Sequence, residues 1–196
     1  TIKNIGYDNE KTDMDYRTCK INAEITKQSP DIALGVDVGG AGDQGIMFGF
    51  ACDETENYMP FAIDMAHKLA KKVTDVRKSG EISYLRPDGK TQVSVEYKDN
   101  KVKRIDTIVV STQHSASISQ EDLRKLIMEE VILPVMDPEL IDENTKFLIN
   151  PSGSFVVGGS FGESGTIERK IVCDTYRVMG RIGGGSFTSK DPSKVD

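Results

Sequence analysis

Two alternating segments joined by a short turn constrain the fold of this chain more than any other feature. Val93, Val95 and Tyr97 alternate with polar residues, which is the period of a β-strand. Asp99-Asn100 is a turn-forming pair, and an apolar run over residues 105–110 follows it. The pattern predicts a hairpin-like pair of strands, so the fold contains a sheet with local antiparallel pairing.

Helices are predicted on both sides of this hairpin. Between Tyr58 and Val76, apolar residues recur every three or four positions, and Pro60 lies near the start, as in an amphipathic helix. Ser119 is predicted to cap a second helix. The apolar side of this second helix consists of Leu123, Leu126, Ile127 and Val131. Residues 1–6 are predicted to be the last turn of a helix, with Gly6 as its left-handed cap.

The remaining apolar runs are short and predict further strands. They are the alternating residues Cys19, Ile21, Ala23 and Ile25, and the runs 46–52, 147–149, 155–157 and 170–173. Residues 28–42 are predicted to form a long loop of the kind that often serves as a lid, and Pro87-Asp88-Gly89 predicts a turn over residues 86–90. Paired strands with helices clustered between them predict an α+β fold, with helices on one face of a mixed or mainly antiparallel sheet.

Composition narrows the class of protein. A chain of 196 residues with 37% hydrophobic residues can form one or two domains with a sizeable core. The net charge of -6 argues against general binding of nucleic acid, and no apolar run approaches the roughly 20 residues of a membrane span. The scattered Cys19, Cys52 and Cys173 indicate reduced thiols in a cytoplasmic protein.

Cations lie beside glycine-rich turns in the last third of the chain. Asn150-Pro151-Ser152-Gly153 is followed by Arg169-Lys170 and then by a segment that begins at Gly183 and contains Lys190 and Lys194. Glycine lets backbone N–H groups approach a ligand, and lysine and arginine beside such turns suit a polyanion. In an acidic chain this pattern favours a phosphate chain over a long nucleic acid. The alternative is an ordinary solvated, charged loop.

The segment Gly40-Ala41-Gly42-Asp43-Gln44-Gly45 matches the spacing of the dinucleotide-binding motif but not its context. That motif must follow a strand and open a helix, whereas here it follows a predicted loop and leads into an apolar run. Asp43 would also place a carboxylate where a pyrophosphate should bind. We therefore interpret the segment as a tight turn that presents Asp43 to a cationic or hydroxyl group.

Taken together, these segments resemble the S-adenosylmethionine synthetase (methionine adenosyltransferase) family, in order and over nearly the whole chain. The matching stretches are Lys27-Gln28-Ser29-Pro30-Asp31-Ile32, Gly40-Ala41-Gly42-Asp43-Gln44-Gly45, Leu85-Arg86-Pro87-Asp88-Gly89-Lys90-Thr91-Gln92-Val93, Ser111-Thr112-Gln113-His114, Asn150-Pro151-Ser152-Gly153, Arg169-Lys170 and Lys190-Asp191-Pro192-Ser193-Lys194-Val195-Asp196.

The resemblance implies a reaction between ATP and L-methionine. The methionine sulfur displaces the whole triphosphate from the ribose 5′ carbon, and the triphosphate is hydrolysed to pyrophosphate and phosphate before release. It also implies Mg²⁺, with two ions per site, and K⁺ as cofactors. The family builds three similar domains and forms a homodimer or a dimer of dimers with a shared active site, and it binds neither nucleic acid nor membrane.

The resemblance also implies roles for individual residues. Phe155 would stack on adenine, Gln28 would contact methionine before a gating loop, and Asp43 would face the methionine amino group. The ATP-binding residues would be Asp88, Gly89, Lys90, Ser154, Phe155, Glu163, Arg169, Lys170, Ser186 and Lys190, of which Lys90, Lys170 and Lys190 would be catalytic. Methionine would also meet Glu163 and Lys194, and Asp196 would bind magnesium.

The expected division follows the family's segments: residues 1–39 end the N-terminal domain and include the gating loop, 40–157 form the central α+β domain, and 158–196 begin the C-terminal domain with phosphate-binding lysines.

The family's Gly-His-Pro-Asp-Lys motif does not occur in these residues, so we expect the chain as given to be inactive alone. Substitutions relative to the family are Ser154 for arginine, Glu163 for aspartate, Arg177-Val178 for two glycines and Ile182 for histidine. They favour an alternative, a non-catalytic relative or fragment that serves as a dimerisation or binding module.

Overall fold

The computed structural model describes residues 1–8, 12, 14–42 and 45–187. The chain divides into two compact units, Thr1–Cys19 with Cys52–Gly165 and Lys20–Ala51 with Thr166–Asp196, which we call the sheet unit and the second unit. The helices are α1 Ile2–Ile5, α2 Pro30–Val36, α3 Phe61–Ser79, α4 Gln120–Ile127 and α5 Gly159–Gly162. The strands are β1 Leu85–Lys98, β2 Lys101–His114 and β3 Lys146–Ile149.

The predicted hairpin is confirmed and forms most of the sheet unit. β1 and β2 pair antiparallel around a two-residue turn, in which Asp99 and Asn100 have φ angles of 52° and 59°. Positive φ at both turn residues is typical of the type I′ turn, whose twist matches that of the flanking strands. β3 pairs parallel to β2 on its other side, so the strand order is β1-β2-β3 and the sheet is mixed.

The core lies between one face of this sheet and the helices α3 and α4. Its fully buried residues include Leu69 and Val76 of α3, Ile108 of β2, and Leu123 and Ile127 of α4, and they belong to one hydrophobic cluster. Burial of each such side chain contributes about 1.5–3 kcal/mol. This packing confirms the predicted α+β fold and both amphipathic helices.

The predicted caps are also confirmed. Ser119 Oγ accepts a hydrogen bond from the Asp122 N–H at 3.0 Å at the start of α4. Gly6 follows α1 with a φ angle of 119°, which glycine adopts readily because it has no Cβ. Five residues in a π-helical turn, Met128–Ile132, continue α4, and Val131 and Ile132 are buried there.

The turn predicted over residues 86–90 is wrong, because these residues belong to β1. The ladder between β1 and β2 is interrupted between Leu85 and Gly89, where β1 has more residues than its partner. β1 is an edge strand, so Pro87 can be accommodated at this irregularity although it has no N–H to donate. The sequence signal for a turn therefore marks a bulged strand end.

Three other predicted strands are also wrong. Residues 19–29 form neither strand nor helix, and Ile25 is 97% exposed. The run 46–52 forms no strand, and Ile46 is 67% exposed. Residues 170–173 form a turn in which the Cys173 N–H donates to the Lys170 carbonyl at 2.7 Å. Apolar alternation describes a half-buried surface, but a strand also needs a partner for its hydrogen bonds, and the alternation does not supply one.

The long loop predicted over residues 28–42 contains helix α2. Ser29 precedes it, Pro30 occupies its first turn and Asp31 follows. Proline is favoured at the first helical position and an acidic residue is favourable near the N-terminus, so this helix has ordinary start signals that the loop interpretation overlooked.

The run 155–157 is not a strand either. It lies beside the end of β2, where the His114 N–H donates to the Phe155 carbonyl at 3.0 Å.

No helix in the described part of the chain is long and apolar enough to cross a membrane.

Candidate functional site

An aromatic ring and a carboxylate close around two glycines in the sheet unit. Asp88 Oδ2 accepts a hydrogen bond from the Gly159 N–H at 2.8 Å. A Cβ added to Gly158 would lie 2.5 Å from Phe155 Cε2 and 3.1 Å from Asp88 Oδ2. Gly158 has an extended backbone with φ of -172°, so lack of space rather than an unusual dihedral angle requires glycine here. The arrangement presents half-buried Phe155 beside Asp88.

Lys90 lies two residues after Asp88 on β1 and is exposed. Asp88, Gly89 and Lys90 line a cavity of about 100 Å³ together with Arg77 and Arg86. Burial lowers the pKa of Arg77 from its usual value, while Tyr7 and Asp8 act in the opposite direction. Arginine remains charged in proteins, so three cations border this cavity. The two arginines were not among the predicted site residues.

Asn150 fixes the segment that leads to Phe155. Its Oδ1 accepts the Thr112 N–H at 2.8 Å, and its Nδ2 donates to the Thr112 carbonyl at 3.1 Å. Arg124 Nε donates to the Ile149 carbonyl at 3.0 Å beside it. Asn150 is 1% exposed and has a φ angle of 42°, a region that asparagine tolerates better than most residues. The side chain thus replaces a strand partner for Thr112 at the end of β2.

The predicted site residues are distributed over both units. The sheet unit holds Asp88, Gly89, Lys90, Ser154, Phe155 and Glu163, and the second unit holds Gln28, Arg169, Lys170 and Ser186. Within the sheet unit the structure brings Asp88 and Phe155 together, and Gly89 and Lys90 line one cavity with Asp88, whereas Ser154 and Glu163 are exposed. Asp43, Lys190, Lys194 and Asp196 lie outside the described residues.

The second unit joins two separate glycine-rich stretches. The rings of Phe50 and Tyr176 have centroids 6.0 Å apart and are tilted by 54°. A Cβ on Gly183 would lie 3.5 Å from Phe48 Cε2, so the segment after the first glycine motif contacts the start of the second. Gln28, Arg169 and Lys170 are exposed, and Ser186 is half-buried. Arg177 has a φ angle of 57° in this unit.

No group of three His, Cys, Asp or Glu side chains among the described residues is arranged to hold a metal ion. The Asp88 carboxylate lies beside Phe155, and one of its oxygens already accepts a hydrogen bond from the Gly159 N–H. The described residues therefore do not form a magnesium site by themselves.

Comparison with known proteins agrees with the resemblance seen in the sequence. The model of the S-adenosylmethionine synthetase central domain matches residues 38–155, and that of the C-terminal domain matches residues 157–196. S-adenosylmethionine synthases from Desulfosudis oleivorans, Clostridium tetani and Syntrophobacter fumaroxidans are 56%, 54% and 53% identical to the chain. Each alignment covers 100% of the chain and 52–54% of the relative, so the chain spans about half the length of these relatives. The chain belongs to the S-adenosylmethionine synthetase family.

Proposed function

We propose that the protein is a methionine adenosyltransferase. It forms S-adenosylmethionine from ATP and L-methionine and hydrolyses the displaced triphosphate to pyrophosphate and phosphate. The observation that carries this proposal is the arrangement of Phe155 and Asp88 around the glycine pair, with Lys90 lining one cavity together with Asp88, in a chain of this family. An aromatic platform, a carboxylate and nearby cations are the groups that an adenine nucleotide needs.

Phe155 stacks on the adenine base in this proposal. Stacking of a base on an aromatic ring contributes about 1–3 kcal/mol, and half-buried Phe155 is held against Gly158. Asp88 lies close to the nucleotide in this proposal, and its Oδ2 is held by the Gly159 N–H. Gly89 and Ser154 contribute backbone and hydroxyl groups near the same base and sugar.

The charged side chains act on the leaving group. The displaced triphosphate carries several negative charges, so converging cations stabilise the transition state as the bond to the 5′ carbon breaks. Lys90, Lys170 and Lys190 have this catalytic role, and Arg169 and Ser186 bind the same phosphate chain. Each transition-state contact of this kind is worth about 10²–10³ in rate.

The methionine sulfur needs orientation rather than activation, because a thioether has no proton to remove. Gln28, Asp43, Glu163 and Lys194 hold methionine, with Asp43 facing its amino group. We also propose Mg²⁺, with Asp196 as one ligand, and K⁺ as cofactors, on the basis of the family. Magnesium bound to the phosphates would neutralise part of their charge.

We further propose that the protein is a cytoplasmic homodimer or dimer of dimers with a shared active site. Strand alternation places Gln92, Ser94, Thr107, Val109 and Leu148 on the sheet face opposite the helices. All five are exposed or half-buried, and Leu148 is 41% exposed. A second copy of the chain packed on this face would cover them.

Sedimentation velocity tests this assembly. Leu148→Glu should shift the full-length protein toward a monomer, because a charge would be buried between the two sheets. Leu133→Glu is the matched control, since Leu133 is 53% exposed and lies after the π-helical turn rather than on the sheet. Equal behaviour of both variants and the wild type would count against the sheet face as the interface.

The segments that we propose follow the family's three-domain organisation. Residues 1–39 would close the N-terminal domain, residues 40–157 would be the central domain and residues 158–196 would begin the C-terminal domain. The two family models, which meet between residues 155 and 157, support the second boundary.

The full-length protein should convert ATP and L-methionine to S-adenosylmethionine in the presence of magnesium and potassium. Lys90→Ala should lower kcat/KM for ATP by about 100-fold or more, because it removes a cation from the leaving group. Lys98→Ala should leave turnover unchanged, since Lys98 is an exposed lysine at the hairpin end of the same strand. Wild-type protein without product, or equal effects of the two variants, would refute the assignment.

One structural feature favours the alternative, a non-catalytic relative. Arg177 adopts a left-handed φ angle of 57° at a position where the family usually has glycine, which costs about 1–2 kcal/mol in local conformation. In addition, Ser154 stands where the family has arginine. A relative of this kind would bind ATP or form a dimer but would release no S-adenosylmethionine in the same assay.

A further inference from the structure

Three consecutive residues at the end of β2 hold the segment that carries Phe155. The backbone of Thr112 is paired with the side chain of Asn150. Gln113 Nε2 donates to the Val156 carbonyl at 3.0 Å. His114 contacts Phe155 itself. Thr112, Gln113 and His114 are each at most 5% exposed, so these bonds form away from solvent, where a missing partner is costly.

His114 satisfies both polar backbone groups of Phe155. Its main-chain N–H donates to the Phe155 carbonyl at 3.0 Å. Its ring Nε2 lies 3.1 Å from the Phe155 backbone nitrogen and accepts the N–H. One residue therefore fixes the peptide groups on both sides of the Phe155 Cα, and the direction of the phenyl ring depends on this backbone.

The hydrogen-bond partners of His114 define where its ring proton lies. Nδ1 is 2.8 Å from the Ser115 carbonyl, which can only accept, so Nδ1 carries the proton. Nε2 then has a free lone pair and accepts from the Phe155 N–H. The Gln120 amide Nε2 lies 2.9 Å from the same atom and donates to it. The two donors thus share the single lone pair of the ring atom that holds Phe155.

We propose that His114 is a positioning residue for adenine recognition. It acts through Phe155 by holding the backbone that keeps the phenyl ring against Gly158 and beside Asp88. This role rests on the proposed function, in which Phe155 stacks on the adenine of ATP. His114 touches no reacting atom, and its loss weakens nucleotide binding without changing the groups that contact the triphosphate.

Two amide replacements of His114 separate this role from simple filling of space. His114→Asn keeps a polar group near the position of Nδ1 but has none near Nε2. His114→Gln can place its amide oxygen near Nε2 and so can still accept the Phe155 N–H. We expect His114→Asn to raise KM and Kd for ATP about tenfold with kcat nearly unchanged, since stacking contributes about equally before and during the reaction. His114→Gln should restore most of the lost affinity.

The experiment uses the full-length protein and two probes, ATP and inorganic tripolyphosphate. Tripolyphosphate lacks adenine, so its Kd should be the same in wild type and His114→Asn. Phe155→Leu should remove most of the effect of His114→Asn in a double-mutant cycle, because the two residues act through one contact. His67→Asn, at the exposed histidine of α3, is the matched control and should change neither Kd.

Amide hydrogen exchange gives a readout that does not need turnover. The Phe155 amide should be protected in the wild type and in His114→Gln, and should exchange at least tenfold faster in His114→Asn. Equal weakening of ATP and tripolyphosphate binding, additive effects in the cycle, or unchanged ATP affinity of His114→Asn would overturn the role of His114. A wild-type protein that binds no ATP would instead overturn the proposed function, and the His114 proposal with it.

Discussion

Asn150→Ala should destabilise the sheet unit by roughly 3–5 kcal/mol. The substitution removes the partners of the Thr112 N–H and carbonyl, which are 2.8 and 3.1 Å from the Asn150 amide. Thr112 is fully buried, and each orphaned buried group costs about 1–3 kcal/mol. Alanine must also adopt the φ angle of 42° that asparagine tolerates, which adds up to about 1 kcal/mol.

Two further variants divide this cost into its parts. Asn150→Gly loses the same hydrogen bonds but accepts the positive φ angle, so it should be less destabilising than alanine by up to about 1 kcal/mol. Asn144→Ala is the matched control at an exposed asparagine and should change stability by less than about 0.5 kcal/mol.

Urea unfolding followed by circular dichroism measures these differences as shifts of the midpoint at constant m-value. Hydrogen exchange of the Thr112 amide reports the local effect directly, and exchange should accelerate in Asn150→Ala and Asn150→Gly. An Asn150→Ala variant within 1 kcal/mol of wild type, with the Thr112 amide still protected, would refute the claim that the side chain replaces a strand partner.

Two more predictions concern the ion pair between Arg104 of β2 and Asp142, and the residue with a left-handed φ angle in the second unit. Hydrogen bonds from Arg104, with Nε–Oδ2 and Nη2–Oδ1 distances of 2.6 and 2.8 Å, lower the pKa of Asp142 to about 2. An unfolded aspartate titrates near pH 3.9, so the stabilisation from this pair is present above about pH 4 and is lost as the pH falls through about 2. Asp142→Asn should therefore flatten this part of the curve of unfolding free energy against pH, measured by urea titration. An unchanged slope would contradict the assignment. Arg177→Gly should leave the free energy of unfolding equal or raise it by up to about 1 kcal/mol, because φ is 57° at this residue. The control Val178→Gly, at an exposed neighbour, should lower it by about 0.5–1 kcal/mol. Thermal unfolding measures both changes, and the reverse order would rule out strain at Arg177.

Elements with local causes could be predicted from the sequence. The hairpin depends on Asp99 and Asn100, whose side chains favour the positive φ angles that the turn requires. The start of α4 depends on Ser119, whose hydroxyl accepts an N–H three residues ahead. In both cases the residues that form the structure are neighbours in the chain, so their spacing alone carries the information.

Strands without a local partner could not be predicted in this way. Residues 46–52 have the composition of a buried strand, yet they pair with nothing in a ladder and Ile46 is largely exposed. Pro87 and Gly89 have the composition of a turn, yet they lie in β1 because an edge strand tolerates an interrupted ladder. What decides each case is the position of a partner far away in the sequence.

The candidate site also has a part that the sequence could predict and a part that it could not. Resemblance to the family identified Asp88, Lys90 and Phe155, but the closeness of Asp88 and Phe155 depends on the Gly158 backbone between them. The two adjacent glycines and Phe155 are close in the sequence, whereas Asp88, the other group that a Cβ on Gly158 would meet, comes from a distant segment. Steric necessity of this kind becomes apparent only when both neighbours have been placed.

The buried polar end of β2 did have a sequence signal. Side chains on a strand alternate between faces, so Thr112 continues the inward series of Ile108 and Val110, and His114 follows it. A threonine and a histidine that face inward must find hydrogen-bond partners. The core extends along this face to Val110, and the partner of the His114 ring lies beyond it, where the Phe155 N–H donates to Nε2. Asn150 binds the backbone of Thr112 at the same end of the strand. The same face of one strand therefore anchors the core along its length and orients the proposed adenine platform at its end.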